Sequence, residues 1–370
     1  MSLSVEVRPF PKVLVDMDKL KHNLDYLVDM CAQHDINVAV VTKVFCADRQ
    51  IVKLIEDSAA TFYADSRWEN LRNIAQTVPN SVKPKILLRI AGKSQVPYAV
   101  QYADASLESE LSTIMALGEA AAKLHKIHKI ILMVDVGDLR EGIYYTNREL
   151  ILKTAQFIVD NPALELWGLG VNLTCYGSVI PDNNNLGILL EIADWLRSTL
   201  KVPIPIVSGG NSSSLFLVSN NNIPSGINNL RLGESFVLGN DTANCCVMPN
   251  LYADAFCLQA EIVELQFKPS KPEGTQGANA FGEKVEYKDE GFQYRAILAL
   301  GRQDVEAESL IPYDQRVKIL GASSDHLLIN LGEAGKSYKV GDVMSFHLNY
   351  GNLLRVFTST YVNKEYRAHF

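Results

Sequence analysis

One lysine, Lys43, directly follows a short apolar run and has the setting of a catalytic amine. Residues 38–41 are uncharged and rich in β-branched side chains, which is typical of a parallel strand buried on both faces. A lysine amine in a partly desolvated pocket loses proton affinity and becomes nucleophilic toward an aldehyde. A lysine whose amine simply reaches solvent is the alternative, and Lys43 taken alone fits that interpretation as well.

A second segment suited to chemistry is Ser208-Gly-Gly-Asn-Ser-Ser-Ser214, which follows another apolar run. Its glycines let the backbone approach a ligand, and Asn211 and Ser212 supply polar groups where a helix starts, which suits an anion. A plain capping turn would look the same. Together with Lys43 and Leu-Gly-Glu-Ser at 232–235, the segment favours a phosphate, and a phosphorylated aldehyde that a lysine can hold is pyridoxal 5'-phosphate.

Arg231 directly precedes Leu-Gly-Glu-Ser and limits the kinds of pyridoxal-phosphate reaction that the site would favour. A guanidinium does not give up its proton, so an arginine facing the pyridine nitrogen keeps that nitrogen unprotonated and weakens the ring as an electron sink. Such a cofactor still acidifies a Cα–H bond, which suits a racemase better than a transaminase. An ordinary salt bridge is the alternative role for Arg231.

These residues need a scaffold that gathers the carboxyl ends of several strands. Helical patterns at 108–124, 148–159 and 186–200 separate short apolar runs, and strands alternating with helices over about 200–250 residues are typical of a (β/α)8 barrel. A doubly wound open sheet is the alternative, but no G-x-G-x-x-G follows the first strand. The predicted barrel strands are 38–42, 61–64, 85–90, 102–106, 129–135, 166–172, 204–208 and 229–232.

From residue 240 onward the pattern changes to short β-type runs separated by Gly, Pro and Asp turns. The fold class is therefore α/β, with a (β/α)8 barrel over 11–239 and an all-β domain over 240–370, on which we expect residues 1–10 to pack. The β-type runs are 258–267, 294–300, 316–320, 326–331 and 343–348.

Composition argues against several classes of function. The 370 residues carry a formal net charge of -7 without a dense Lys/Arg run, so nucleic acid is not an expected partner. Charges at Glu6 and Arg8 interrupt any N-terminal apolar run, so neither a signal peptide nor a membrane span is expected, and we predict a cytoplasmic protein. Six cysteines without a C-x-x-C pair predict reduced, mostly buried thiols and no metal site.

Several short strings lie in the order found in the alanine racemase superfamily of pyridoxal-phosphate enzymes, which this chain resembles. They are Val-Thr-Lys43, Val-Asp-Val-Gly-Asp-Leu-Arg140, Gly-Val-Asn172-Leu-Thr, Gly-Gly-Asn-Ser212 and Leu-Arg231-Leu-Gly. Longer strings resemble the ornithine racemase subfamily: Val-Asn-Leu-Thr-Cys-Tyr-Gly177, Ile-Val-Ser-Gly-Gly-Asn-Ser-Ser-Ser214, Gly-Arg-Gln-Asp304 and Ile-Leu-Gly-Ala-Ser-Ser-Asp-His326. The resemblance implies interconversion of the two enantiomers of ornithine in a homodimer whose active sites borrow residues from the partner's β domain. Lysine and other amino acids are alternative substrates.

The resemblance also implies roles for individual residues. Lys43 would bind pyridoxal phosphate and act as the base on one face of Cα, and Arg140 would lie near the phenolic oxygen and the substrate carboxylate. Asn172 takes the position from which alanine racemases stack a histidine on the ring. The remaining cofactor contacts would come from Arg231 at the pyridine nitrogen and from Asn211, Ser212, Gly233 and Glu234 around the phosphate.

Two positions depart from the alanine racemase pattern. Met133 replaces a carbamylated lysine that supports the arginine, and Phe281 replaces the tyrosine that serves as the second base. Phenylalanine cannot transfer a proton, so another group must act on the opposite face. Asp325 and His326 are the leading candidates, although both also fit a turn between two strands. Further candidates are Cys175, Tyr176 and Tyr350.

The charge of the substrate's side chain predicts which residue type must line the pocket. An ornithine side chain ends in an ammonium and needs a carboxylate in the pocket, because a buried unpaired cation is costly. Asp65, Asp138 and Glu234 lie near strand ends and are candidates, and each also fits a helix cap or a structural partner of an arginine. Two other functions stay open: a pyridoxal-phosphate carrier without turnover, and a decarboxylase of basic amino acids.

Overall fold

The computed structural model describes residues 9–278, 281–284 and 286–368. It divides into two compact units, one of Lys19–Ala253 and one that joins the residues up to Asp18 with those from Asp254 onward. The strand Lys12–Asp16, which the sequence prediction counted with the barrel, pairs antiparallel with Phe256–Pro269 in the second unit. The N-terminal strand is therefore part of the β domain.

Eight parallel strands of the first unit close into a ring, which confirms the predicted barrel. Ala39, Val41 and Met133 belong to the apolar cluster that fills its interior. The barrel strands are Asn37–Val41, Phe62–Asp65, Lys85–Leu87, Ala105–Glu108, His128–Asp135, Leu164–Gly170, Ile206–Asn211 and Asn229–Leu232. Shorter strands are Ile143–Tyr144, Asn240–Asp241 and Cys246–Val247.

Helices lie between these strands, and several begin at polar caps. Asp48 accepts hydrogen bonds from the backbone N–H groups of Gln50 and Ile51, and Asp182 forms a capping box with Asn185. The α-helices are Met17–Ala32, Arg49–Glu56, Trp68–Thr77, Val96–Tyr102, Leu111–Lys123, Arg148–Asp160, Asn183–Leu200, Leu215–Ser219 and Glu234–Leu238. Single 3-10 turns are Lys43–Phe45, Lys93–Gln95 and Ser212–Ser214.

The fourth barrel strand lies later in the chain than predicted, at Ala105–Glu108 instead of 102–106. The helix Val96–Tyr102, which has a proline in its first turn, extends through the first of the predicted strand positions. An acidic residue, Glu108, therefore ends this strand.

The second unit is a mainly antiparallel, eight-stranded sheet. It also contains a helix, Tyr350–Thr358, which the prediction did not include and which Asn349 caps. The strands are Lys12–Asp16, Phe256–Pro269, Phe292–Leu298, Ile311–Pro312, Lys318–Ala322, Leu327–Asn330, Val343–His347 and Asn363–Arg367, and the 3-10 turns are Ala307–Ser309 and Gly332–Ser337. Over the residues described, no helix has the length and apolar character needed to cross a membrane.

Candidate active site

Lys43 is the first residue of a 3-10 turn that directly follows the first barrel strand. Burial lowers the pKa of its amine, and the nearby Arg140 guanidinium lowers it further. Cys175, Asp65 and Glu141 act in the opposite direction. A lysine with a lowered pKa carries a larger fraction of neutral amine near neutral pH, which is the form that attacks an aldehyde.

The buried Asp65 carboxylate binds the side chain of Thr42, the residue before Lys43. It accepts a hydrogen bond of 2.5 Å from the Thr42 hydroxyl, one of 2.8 Å from the Arg67 backbone N–H, and others from the Asn70 amide. Burial raises the pKa of Asp65 to about 6, and these hydrogen bonds oppose the rise. Asp65 thus ties the residue before Lys43 to the end of the second strand.

Arg231 lies on the eighth barrel strand and is only 3% exposed. Its Nη2 donates to the Val171 carbonyl and to Oδ1 of Asn172, both at 2.6 Å, and its Nη1 donates to the Ser208 hydroxyl. Burial lowers the pKa of Arg231 to about 10, so the guanidinium stays charged at neutral pH. A fixed cation therefore sits where the sixth, seventh and eighth strands end.

Asn172 connects Arg231 to the residues around Arg140 by hydrogen bonds. Its Nδ2 donates to the Glu141 carboxylate, which also accepts hydrogen bonds from Nε and Nη2 of Arg140. A series of hydrogen bonds thus runs from Arg231 through Asn172 and Glu141 to Arg140. It links the two arginines that sequence reasoning had placed at opposite ends of a cofactor ring.

Glu141 was missed by sequence reasoning, although an acid directly after Arg140 could have drawn attention to it. Its carboxylate accepts two hydrogen bonds from the Arg140 guanidinium. Met133, where the resemblance implied the loss of a supporting lysine, is fully buried in the apolar barrel interior. Glu141 is therefore the carboxylate that pairs with Arg140.

The backbone around Gly233 forms a small polar cradle. The Ser212 hydroxyl lies 3.4 Å from the Gly233 nitrogen and 3.3 Å from the Ser235 nitrogen, and it accepts from both N–H groups. A Cβ at Gly233 would lie 3.2 Å from the Val41 Cβ, so a larger residue would crowd the first strand. The Glu234 carboxylate accepts from the Asn240 amide at 3.0 Å, so its side chain is engaged in the fold.

Two loops of the barrel mouth are joined by Asp138, which is 1% exposed. Its carboxylate accepts hydrogen bonds from the backbone N–H groups of Cys175, Tyr176 and Val179, at 3.3, 3.0 and 3.2 Å. Asn211, the last residue of the seventh strand, also binds the loop that carries Cys175. Its Nδ2 donates to the Leu173 carbonyl and to the Cys175 sulfur. Asn211 thus contacts the loop that follows the sixth strand.

Cys175 is exposed, as are Cys245 and Cys246, so the expectation of mostly buried cysteines was wrong for these three. All six cysteines are free thiols. Among the residues described, no group of three His, Cys, Asp or Glu side chains could hold a metal ion.

The structure thus brings Lys43, Arg140, Asn172 and Arg231 together in one unit, with the cradle beside them. Asp325 and His326 belong to the second unit, on an exposed turn between Lys318–Ala322 and Leu327–Asn330. Asp325 accepts from Gln303 at 2.7 Å, and the His326 backbone N–H donates to the Ser323 hydroxyl at 3.2 Å. Phe281 is also in that unit, with the Arg302 guanidinium 4.3 Å from its ring centroid.

A (β/α)8 barrel with a half-buried lysine after its first strand and two arginines at its mouth, joined to a β domain, defines the class of alanine racemase-fold proteins. The family described as "Alanine racemase, N-terminal domain" matches residues 15–241. The chain belongs to the alanine racemase family and is an amino-acid racemase.

Two curated relatives align over almost the whole chain. An ornithine racemase of Acetoanaerobium sticklandii is 45% identical over 356 residues, which cover 96% of this chain and 99% of the relative. A lysine racemase of Thermotoga maritima is 35% identical over 358 residues, which cover 96% and 98%.

Solved structures agree on the fold. Alanine racemase of Streptomyces lavendulae superposes with a TM-score of 0.76 at 13% identity, covering 98% of each chain. Alanine racemase of Bartonella henselae, solved with covalently bound pyridoxal phosphate, gives 0.74 at 15% identity and covers 97% of this chain and 100% of that one.

Proposed function

We propose that this racemase interconverts L- and D-ornithine with pyridoxal 5'-phosphate as its cofactor. The observation that carries the proposal is a half-buried lysine of lowered pKa in the same cluster as two arginines, in a chain 45% identical to an ornithine racemase. Lysine is the nearest alternative substrate, because the second relative is a lysine racemase.

The residues present suit this cofactor. Lys43 would bind its aldehyde, and the Ser212 hydroxyl with the N–H groups of Gly233 and Ser235 would hold its phosphate. Arg231 would face the pyridine nitrogen, since its guanidinium is buried and remains charged at neutral pH. Asn172 would lie against the ring, held by its hydrogen bond from Arg231.

When bound, pyridoxal phosphate acidifies the Cα–H bond of the amino acid that it holds. Lys43 would remove or return that proton on one face, and its lowered pKa increases the share of the neutral amine that can act as the base. Arg140 would hold the substrate carboxylate through its guanidinium. Because Arg231 remains protonated, it would keep the pyridine nitrogen unprotonated and so favour proton return at Cα over transamination.

Racemisation needs a second proton-transfer group on the opposite face, and Asp325 and His326 remain our predictions for it. Both would act from the β domain of a second subunit, in a head-to-tail homodimer with shared active sites. Replacing each by Ala and mixing each variant with Lys43→Ala protein tests the arrangement. Hybrid dimers would recover activity if one site took its lysine and its opposite-face group from different subunits.

The central experiment measures loss of the Cα–H proton-NMR signal in deuterated water, followed by chiral analysis. L-ornithine, L-lysine and L-alanine are tested separately with the pyridoxal-phosphate-loaded protein. We expect exchange and D-isomer formation fastest with ornithine, abolished in Lys43→Ala and retained in Lys53→Ala, a control lysine on an exposed helix face. Lysine-bound cofactor absorbance without exchange of any of the three would refute the proposal and favour a carrier.

A further inference from the structure

Glu141 differs from the other acids near the barrel mouth in what it contacts. Its described hydrogen bonds all come from side chains of the site: two donors of Arg140 and the Asn172 amide. Its charge also acts on Lys43 and Arg231, for which it stabilises the cationic form. This carboxylate therefore faces the groups that would surround a bound amino acid.

The acids proposed from sequence have other contacts. Asp65 and Asp138 accept backbone N–H groups that hold loops in place, and Glu234 accepts from the Asn240 amide. Asp65 and Asp138 are almost completely buried. Glu141 instead keeps 15% of its side chain exposed, next to an Arg140 side chain that is 40% exposed. A solute entering the mouth can therefore reach this ion pair.

We propose that Glu141 determines specificity by accepting the side-chain ammonium of a basic amino acid. This inference rests on the proposed racemase function, in which Arg140 holds the substrate carboxylate. When Arg140 binds the carboxylate of the substrate, its contact with the Glu141 carboxylate weakens. A substrate with a second ammonium compensates, because its carboxylate pairs with Arg140 and its side-chain cation pairs with Glu141.

An amino acid with an uncharged side chain offers no such compensation. It would occupy Arg140 and leave the Glu141 carboxylate without its cation, in a pocket where a charge without a partner is costly. The pair is partly open to water, which reduces the penalty by screening. We therefore expect a preference for basic substrates of about 10- to 100-fold from this contact.

The experiment compares L-ornithine with L-2-aminopentanoate, which has the same carbon chain but no terminal amine. Glu141→Gln keeps the shape and removes the charge. The ratio of kcat/KM for ornithine to that for 2-aminopentanoate should fall at least 10-fold, mainly through KM for ornithine. Glu191→Gln, a surface acid paired with Arg148, is the control and should leave the ratio unchanged. Equal losses for both substrates would overturn the proposal, because Glu141 would then only support Arg140.

A binding measurement separates this inference from the function on which it rests. Ornithine should raise the thermal unfolding temperature of the pyridoxal-phosphate-loaded wild type at lower concentrations than 2-aminopentanoate does, and Glu141→Gln should remove this difference. An unchanged difference would overturn the inference. A wild type that binds both compounds without exchanging either Cα proton would refute the racemase function but leave the binding result intact.

A second substitution covers the case in which Glu141→Gln does not fold. Glu141→Asp keeps the charge but retracts the carboxylate by one methylene, which leaves room for a longer substrate. The kcat/KM ratio of lysine to ornithine should then rise at least 5-fold over the wild-type ratio. An unchanged ratio would contradict a direct contact between this carboxylate and the side-chain ammonium.

Discussion

Replacing Asp138 tests whether one buried carboxylate holds together the two loops that carry Arg140 and Cys175. Its two oxygens accept hydrogen bonds from three backbone N–H groups, those of Cys175, Tyr176 and Val179. Asp138→Ala removes both oxygens and therefore all three hydrogen bonds. A hydrogen bond to a charged acceptor contributes about 1.5–3 kcal/mol, but Tyr176 is exposed, so water can replace part of the loss. We expect a loss of about 3–5 kcal/mol in the free energy of unfolding.

Asp138→Asn has the same shape but only one accepting oxygen. If the amide oxygen of this variant accepts from the N–H groups of Cys175 and Tyr176, its NH2 group faces the Val179 N–H. Both of these groups are donors, so no hydrogen bond forms there. We expect a smaller loss, about 2–3 kcal/mol, because at least one of the three bonds is broken. The order of stability should be wild type, then Asp138→Asn, then Asp138→Ala.

Urea unfolding followed by circular dichroism measures these losses, and hydrogen exchange at the three amides shows whether the loop itself is released. Asp194→Asn, on an exposed helix face beside Arg197, is the matched control and should change stability by less than about 0.5 kcal/mol. Unchanged midpoints together with unchanged exchange in both Asp138 variants would refute this reasoning. Faster exchange should coincide with a lower kcat/KM, since the same carboxylate positions the loops of the site.

Three further predictions concern the barrel. Burial raises the pKa of Glu108 to about 8, so the folded protein loses this proton at higher pH than the unfolded chain does. The free energy of unfolding should therefore fall by about 3–5 kcal/mol between pH 5 and 9. Urea unfolding across this pH range should show a smaller fall in Glu108→Gln. Gly142 has a φ of +132° and a Cβ there would lie 2.4 Å from the Asp135 nitrogen, so Gly142→Ala should cost at least about 2 kcal/mol in thermal unfolding. Arg231→Lys keeps the charge but cannot reach all three of its acceptors, so the Kd for pyridoxal phosphate, followed by absorbance, should rise at least 10-fold.

Several features of the fold could be read from local sequence. The strand at 229–232 was predicted with the bounds that the structure has, and most other barrel strands differ by a few residues at either end. Periodicity of apolar residues identifies such elements because burial on both faces leaves a continuous apolar run. The fourth strand was shifted because a proline-started helix occupies the residues before it, and the helix Tyr350–Thr358 is too short for its period to stand out.

The sequence by itself also identified Lys43, Arg140, Asn172 and Arg231 as a set, because the carboxyl ends of parallel strands must meet at one mouth. Only the tertiary structure decided which carboxylate meets which cation. Asp65 and Asp138 face backbone N–H groups, whereas Glu141 bridges Arg140 and Asn172. Such pairings depend on strand register and on loop conformations set by residues distant in the chain. Hydrophobic periodicity carries no information about them, since it reports burial and not the identity of polar partners.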